Sequence, residues 1–411
     1  MDKLRICIFT PMIFPVPAVK GGAVEGLVEL LIRMNEKYKK MELTIVSIYD
    51  KEAQNVSEKY NNCNFVWINR ENFWDKFWSK KIWIYLNKIG IKFHGNIIVS
   101  LPAVKKAWKY VENQKFHAYI LEGGGDFYNF GYLHKRIPNE KFLVHFHGEV
   151  PGDKAIKKWF GRYVTVSNYI GRKLICNGEV DSKLLRILPN CFDADSMQTR
   201  IDKKSIREKY GLLQDDFVFV YWGRLIPEKG VLELLEAFEK VNGELKNSKL
   251  LIVGNANFGY SIKTRYDELL SNICNKGALQ DCVKFTGFVN HDDMGSLLEA
   301  CDVGIIPSIW DDPAPLTVFE GLSKGLPLIA TRVGGIPEII IDGENGYVLD
   351  WDIKYTESLT KKMIEVYRDN ETRMLISNNA KKSVLEYTPD RYYKNFVDII
   401  EEIKNCSTQG E

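Results

Sequence analysis

The chain has 411 residues, 45% of them hydrophobic and 27% charged, with a formal net charge of +2 at pH 7. This composition supports a large buried core and excludes a disordered or fibrous chain. At about 150 residues per domain the length argues for two or three domains, two being the simplest count, and against a small binding module. Residues 1–195 carry 30 Lys and Arg against 20 Asp and Glu, whereas residues 196–411 carry 26 against 34. A basic half is either a surface for anionic partners (phosphates, nucleic acid, acidic lipid) or a solvated lysine face.

The first residues, MDKLRICIFTPMIFPVP, break their apolar run with charges and prolines too early for a signal segment and read as a first strand. From there, short runs rich in Val, Ile and Phe alternate with longer segments of helical period, as βαβ units around a parallel sheet require. Strands are expected over 5–10, 43–48, 64–68, 118–121, 142–147 and 163–167, then over 217–223, 249–253, 283–286, 303–307, 327–330 and 346–349. Helices fit between them, for example over 22–39, 231–241 and 261–276. Each half reads as its own doubly wound sheet, divided near Pro189-Asn190-Cys191-Phe192-Asp193. From 353 to 403 the pattern is almost wholly helical, and 405–411 reads as a frayed polar tail.

No stretch approaches the roughly 18 to 20 apolar residues that cross a bilayer. The eight cysteines are scattered without a C-x-x-C pair or a nearby His, so reduced thiols and a cytoplasmic location are expected.

Three loop motifs carry chemistry, and two further glycine-containing stretches follow them. Gly21-Gly22 lies at the start of the first helix, where bare backbone amides and the helix dipole suit an anion, although two glycines also serve a tight turn; no G-x-G-x-x-G is present. In Gly223-Arg224-Leu225-Ile226-Pro227-Glu228-Lys229-Gly230, two cations on one loop either clamp a diphosphate or pair on the surface with Glu228 and Glu233. Asp311-Asp312-Pro313-Ala314-Pro315-Leu316-Thr317-Val318-Phe319-Glu320 places one carboxylate on a loop and another in the helix that follows. Such carboxylates accept bidentately from vicinal hydroxyls, or serve as an N-cap and a solvated helix residue. Val333-Gly334-Gly335-Ile336-Pro337-Glu338 and Asp342-Gly343-Glu344-Asn345-Gly346 repeat the glycine device, the latter as a hairpin or loop.

The order of these motifs, with Val164-Thr165-Val166-Ser167 and the Asn190 to Asp193 stretch, resembles the retaining GT-B glycosyltransferases of the GT4 type, over residues 5 to 350. The resemblance implies two Rossmann-like α/β domains facing each other across a cleft. Residues 1–193 would take the acceptor, 194–385 the nucleotide-sugar donor, and 386–411 would form a helix returning to the first domain. It implies donor contacts from Gly21, Gly22, Gly223, Arg224, Lys229, Gly254, Leu316, Thr317 and Glu320. Arg224 and Lys229 would hold the diphosphate, Glu320 the ribose and Asp312 the transferred sugar. His147 would lie between donor sugar and acceptor, or else be a neutral strand-end histidine; His145, expected on the alternate face, is the poorer candidate. Two departures stand out: Asp312 replaces the family's usual Glu, with Asp311 able to shift into its role, and Ala314-Pro315 replaces the usual Phe-Gly.

The implied reaction is metal-independent sugar transfer with retention, needing no cofactor, from a nucleoside diphosphate sugar (a UDP-sugar by analogy) to a lipid-linked or growing glycan in surface polysaccharide synthesis. An alternative is a nucleotide-sugar 2-epimerase on the same fold, or a non-catalytic nucleotide-sugar-binding protein. Glu122-Gly123-Gly124-Gly125-Asp126 is a candidate acceptor loop. Residues 73–88, three tryptophans among lysines at near-helical spacing, read either as core packing or as peripheral contact with the inner face of an anionic membrane. Nucleic acid is not expected as a partner, because the acidic half repels its backbone and no recognition motif is present.

Overall fold

The computed structural model describes residues 3–69, 96–123, 131–149, 156–178, 180–255, 264–275 and 277–408. The segment 73–88 and residues Gly124 to Asp126 of the acceptor loop lie outside them. The chain divides into two compact units, residues 1–191 with 389–411 and residues 192–388, where the sequence placed its divisions after 193 and 385.

The first unit is built on β1 (Leu4–Phe9), β2 (Met41–Ile48), β3 (Cys63–Ile68), β4 (Ala118–Glu122), β5 (Phe142–Phe146), β6 (Arg162–Thr165) and β7 (Leu185–Ile187). All neighbours pair parallel, in the order β3-β2-β1-β4-β5-β6-β7. Both faces are covered, so the strands read as unbroken apolar runs rather than alternating ones. In β1, Ile6 and Ile8 enter one core while Cys7 and Phe9 enter the other.

Helix α1 (Ala23–Tyr38) covers one face together with the C-terminal helix, which belongs to this unit. Tyr392, Tyr393, Phe396, Val397, Ile400 and Ile403 of that helix recur at three- and four-residue intervals and are buried with α1. Tyr393 Oη donates to Asn35 Oδ1 at 2.7 Å, and the same buried amide exchanges hydrogen bonds with the Met41 backbone.

The second unit repeats the plan with β8 (Phe217–Trp222), β9 (Ser248–Val253), β10 (Val283–Gly287), β11 (Val303–Ile306), β12 (Leu328–Thr331) and β13 (Tyr347–Leu349). These are parallel in the order β10-β9-β8-β11-β12-β13. Phe219 and Tyr221 face one core, and Val218, Val220 and Trp222 the other. Helix α2 (Val231–Glu244) follows β8 and helix α3 (Leu316–Ser323) follows β11.

The strand order reverses between β1 and β4 in one sheet and between β8 and β11 in the other. In open parallel sheets ligands bind beyond the strand ends at such a switch point. The loops after β8 and β11 are the two motifs that carry Arg224, Lys229 and Asp312.

Several expectations are corrected. Of the hairpin or loop expected over Asp342 to Gly346, the structure has the loop, because β13 lies parallel to β12. The helical stretch is three helices, α4 (Tyr355–Arg368), α5 (Asn370–Ser383) and α6 (Pro389–Thr408). Asp369 separates the first pair by capping the Thr372 amide, and Pro389 opens the last. α6 runs on to Thr408, through most of the tail read as frayed.

Candidate functional site

In the second unit the three motif loops are built on one another. The Ile309 amide donates to the Glu228 carbonyl at 3.0 Å, joining the loop after β11 to the loop after β8. The Gly335 amide donates to the Asp312 carbonyl at 2.8 Å and the Gly334 amide to Asp311 Oδ1 at 3.1 Å. The Gly334-Gly335 pair, read from sequence as a repeat of the bare-backbone device, therefore supports the acidic loop.

Lys229 forms an ion pair with Asp312, in place of the local Glu228 or Glu233 partners considered from sequence. Their side chains are 21% and 13% exposed, so the pair is partly desolvated. Arg224 is exposed, and its guanidinium has no hydrogen bond or ion pair among the described residues. Tyr221 Oη donates to the Arg224 carbonyl at 2.6 Å and fixes the backbone that presents it. Helix α3 starts at Leu316 behind Pro315, with no side chain capping its first turn. The amides of Leu316 and Thr317 thus leave a partial positive charge beside the same loop.

Glu320 sits one turn into α3. Burial pushes its carboxyl above the usual range, opposed by the charge of His291 and by the indole N–H of Trp222, which donates to Oε2 at 2.8 Å. Trp222 is a site residue that sequence reasoning missed; the available signal was a tryptophan ending a core strand, whose N–H needs an acceptor.

Gly254, expected as a donor contact, lies against the end of β8. A Cβ there would stand 2.0 Å from the Gly223 carbonyl oxygen, so its bare backbone is what lets the ends of β8 and β9 approach. The Gly223 amide donates to the Val253 carbonyl at 3.0 Å in the same contact.

Gly21, Gly22, Glu122 and His147 belong to the first unit. A Cβ on Gly22 would fall 2.2 Å from Glu25 Oε2, so the buried Glu25 carboxyl already occupies the space that this glycine opens. Burial raises the Glu25 carboxyl, with hydrogen bonds from its own and the Phe14 amide opposing.

Glu122 is corrected from an acceptor-loop residue to the last residue of β4. It is 2% exposed, with Oε2 2.6 Å from His147 Nε2 and 3.0 Å from His145 Nδ1. The cause is register: Glu122 pairs with His145 on β5, and His147, two residues on, falls on the same face. His145 is therefore not on the alternate side from His147; the two rings lie 4.1 Å apart over one carboxylate. Burial pushes the Glu122 carboxyl up, but the two imidazoles outweigh it and hold it down at about 2. Burial and the neighbouring His145 lower His147, against the pull of Glu122. An ionised carboxylate only accepts, so Nε2 of a neutral His147 carries the proton and Nδ1 presents its lone pair.

Glu122, His145 and His147 are also the group whose donor atoms, all within 4.8 Å, could hold a metal ion. The 2.6 Å between Oε2 and Nε2 is a hydrogen-bond distance. Two ligands of one tetrahedral zinc ion stand about 3.3 Å apart, so Glu122 and His147 form a hydrogen-bonded pair, while the buried ring nitrogens of His145 have no hydrogen-bond partner among the described residues. Among the described residues no helix is long and apolar enough to cross a membrane.

Residues 202–383 match the family model described as Glycosyl transferases group 1. The putative glycosyltransferase YtcC of Bacillus subtilis is 23% identical over 385 residues, covering 90% of this chain and 85% of that one. The Escherichia coli UDP-Gal:alpha-D-GlcNAc-diphosphoundecaprenol alpha-1,3-galactosyltransferase is 27% identical over 218 residues, 52% of this chain and 53% of that one. Among solved structures, Anabaena HepE in complex with UDP and glucose superposes with a TM-score of 0.72 at 18% identity, covering 97% of this chain and 100% of that one.

Proposed function

We propose that this chain, a group 1 glycosyltransferase of GT-B fold, moves a sugar from a UDP-sugar to a lipid-linked or growing glycan in cell-envelope polysaccharide synthesis, retaining the anomeric configuration. One observation carries this reading: at the β8/β11 switch point an unpaired Arg224, the Lys229–Asp312 pair and the uncapped start of α3 sit on mutually hydrogen-bonded loops. That is a preformed site for a diphosphate flanked by an acceptor of hydroxyls, Glu320. The choice of uridine and of a lipid-linked acceptor is supported by what the Anabaena protein binds and what the E. coli enzyme is named for.

In the reaction, the bond from the anomeric carbon to the diphosphate breaks and its electron pair leaves with the nucleotide. The acceptor hydroxyl oxygen bonds to that carbon on the same face and gives its proton to a phosphate oxygen. Arg224, Lys229 and the α3 amides stabilise the charge gathering on the leaving group, the term that most lowers such a barrier. With two cations and a helix terminus in that role, we assign the reaction no metal. As the anion arrives it competes with Asp312 for Lys229, which releases the carboxylate for hydroxyls of the transferred sugar. In the first unit, His147 Nδ1 is suited to accept a hydrogen bond from a sugar hydroxyl.

The experiment is release of UDP from UDP-glucose, UDP-galactose and UDP-N-acetylglucosamine in EDTA, with and without undecaprenyl-diphosphate-linked sugar, and NMR of the product's anomeric proton. Acceptor-dependent release with an α-linked product supports the proposal. A sugar epimer formed without acceptor would replace it with an epimerase, and a β-linked product would remove the retaining assignment.

A further inference from the structure

Trp222 ends β8 with its indole in a slot made by two absent side chains. A Cβ at Gly304, in β11, would stand 2.6 Å from Leu328 Cδ2 and 2.9 Å from the indole Cζ3, and one at Gly321, in α3, 2.7 Å from the same Leu328 atom and 2.8 Å from the indole Cη2, so Leu328 and the ring share the space. Strand and helix thus both give way to the same ring. The slot aims Nε1 at Oε2 of Glu320, the residue adjoining Gly321, at 2.8 Å. Glu320 Oε1 has no hydrogen-bond partner among the described residues.

A tryptophan buried only for packing needs one acceptor, and any strand carbonyl would serve. Here the donor is spent on a carboxylate, and on one oxygen of it. A glutamate has three rotatable bonds, and an unrestrained one spreads over several rotamers, whereas bidentate acceptance from two neighbouring hydroxyls requires one orientation.

We infer that Trp222 is a positioning residue for the nucleotide: it anchors Oε2 of Glu320 so that the carboxylate meets the vicinal 2′- and 3′-hydroxyls of a ribose. The inference rests on the nucleotide-sugar reading above. It makes the preference for ribonucleotides over 2′-deoxyribonucleotides depend on an indole N–H that touches neither. Burial raises the Glu320 carboxyl, and the indole N–H and the charge of His291, at the start of helix His291–Glu299, are the groups that hold it down. Without the N–H the carboxyl takes up its proton at a higher pH, and ribose binding is lost there.

The test is calorimetric titration with the ribo and 2′-deoxy forms of UDP, GDP and ADP across pH 5.5–8. It compares wild type, Trp222→Phe, Glu320→Gln and the double variant, with a melting curve for each. For the base that binds, Trp222→Phe is expected to weaken the ribonucleotide five- to tenfold and the deoxy form less than twofold. The acid limb of ribonucleotide binding should move to higher pH, and in the Glu320→Gln background Trp222→Phe should change affinity less than twofold. Replacing Trp222 with β-(3-benzothienyl)alanine, which keeps the ring shape without the N–H, should reproduce the loss if the phenylalanine variant unfolds. Equal loss for ribo and deoxy forms, or additive effects in the double variant, would overturn the inference. Wild type binding none of the nucleotides would instead remove the nucleotide-sugar reading.

Discussion

Gly334 and Gly343 provide a matched pair. Both have positive φ, +56° and +75°, but a Cβ at Gly334 would stand 2.0 Å from the Asp312 carbonyl oxygen and 2.6 Å from its amide nitrogen, whereas at Gly343 nothing lies within 4 Å. Alanine in the left-handed region costs about 1 to 2 kcal/mol, partly offset by the reduced entropy of the unfolded chain, so Gly343→Ala should cost about 1 kcal/mol. Gly334→Ala adds a collision with backbone. Relieving it means moving the acidic loop by about an ångström, at about 1 to 3 kcal/mol for overpacking. It also breaks the Gly335–Asp312 and Gly334–Asp311 hydrogen bonds, each worth about 1 kcal/mol. The total is about 4 to 6 kcal/mol, at least about 3 above the Gly343 variant. Urea unfolding, with midpoints compared at constant slope, measures the difference. Gly334→Ala should also tighten UDP binding by moving Asp312 away from Lys229, with which the anion otherwise competes, and Gly343→Ala should leave it unchanged. Equal destabilisation by the two variants would refute the claim that the Gly334-Gly335 pair supports the acidic loop.

Arg207 is 1% exposed and donates to the Ala300, Leu213, Gln214 and Asp216 carbonyls and to Asp302. Arg207→Met should therefore cost about 3 to 5 kcal/mol in urea unfolding by stranding those acceptors. In the first unit, Glu122 lies below its usual value, so its stabilisation is present above about pH 4.5 and is lost as the pH falls toward 2. His147 is lowered as well, so the unfolded chain takes up its proton first and stability declines from about pH 6.5 downward. Melting temperature should fall throughout that window, and Glu122→Gln should flatten the part below pH 4.5 while keeping the decline that begins near 6.5. Asp312→Asn should free Lys229 and tighten UDP itself while slowing sugar transfer, read by comparing the dissociation constant for UDP with kcat for the UDP-sugar.

Much of this fold is legible in sequence because parallel strands buried on both faces are continuous apolar runs, and twelve of the thirteen strands among the described residues stand out that way. The exception, Leu185–Ile187, is three half-buried residues at a sheet edge, too short to carry a pattern. The motif loops are legible for a related reason: glycine, proline and charge cluster only where strands end. What lies between distant positions is not. The Lys229–Asp312 pair spans 83 residues and the Trp222–Glu320 bond 98, and neither follows from local spacing. The glycines after Glu122 suggest a loop, whereas pairing with His145 on β5 keeps it in the sheet. His145 and His147 are two residues apart and so share a face of the strand, the rule that puts both imidazoles beside Glu122.

The central claim is that the second unit holds a nucleoside diphosphate on Arg224, Lys229 and the start of α3 without a metal. It is tested most directly by melting the intact chain in EDTA with UDP, GDP and ADP, beside Arg224→Ala and Lys229→Ala. The account predicts stabilisation by one nucleotide of about 2.7 kcal/mol at a hundredfold excess over its dissociation constant. Loss of a charge-assisted hydrogen bond worth about 2 kcal/mol should weaken binding about thirtyfold in Arg224→Ala. No stabilisation by any of the three, or the same stabilisation in both variants as in wild type, would contradict it.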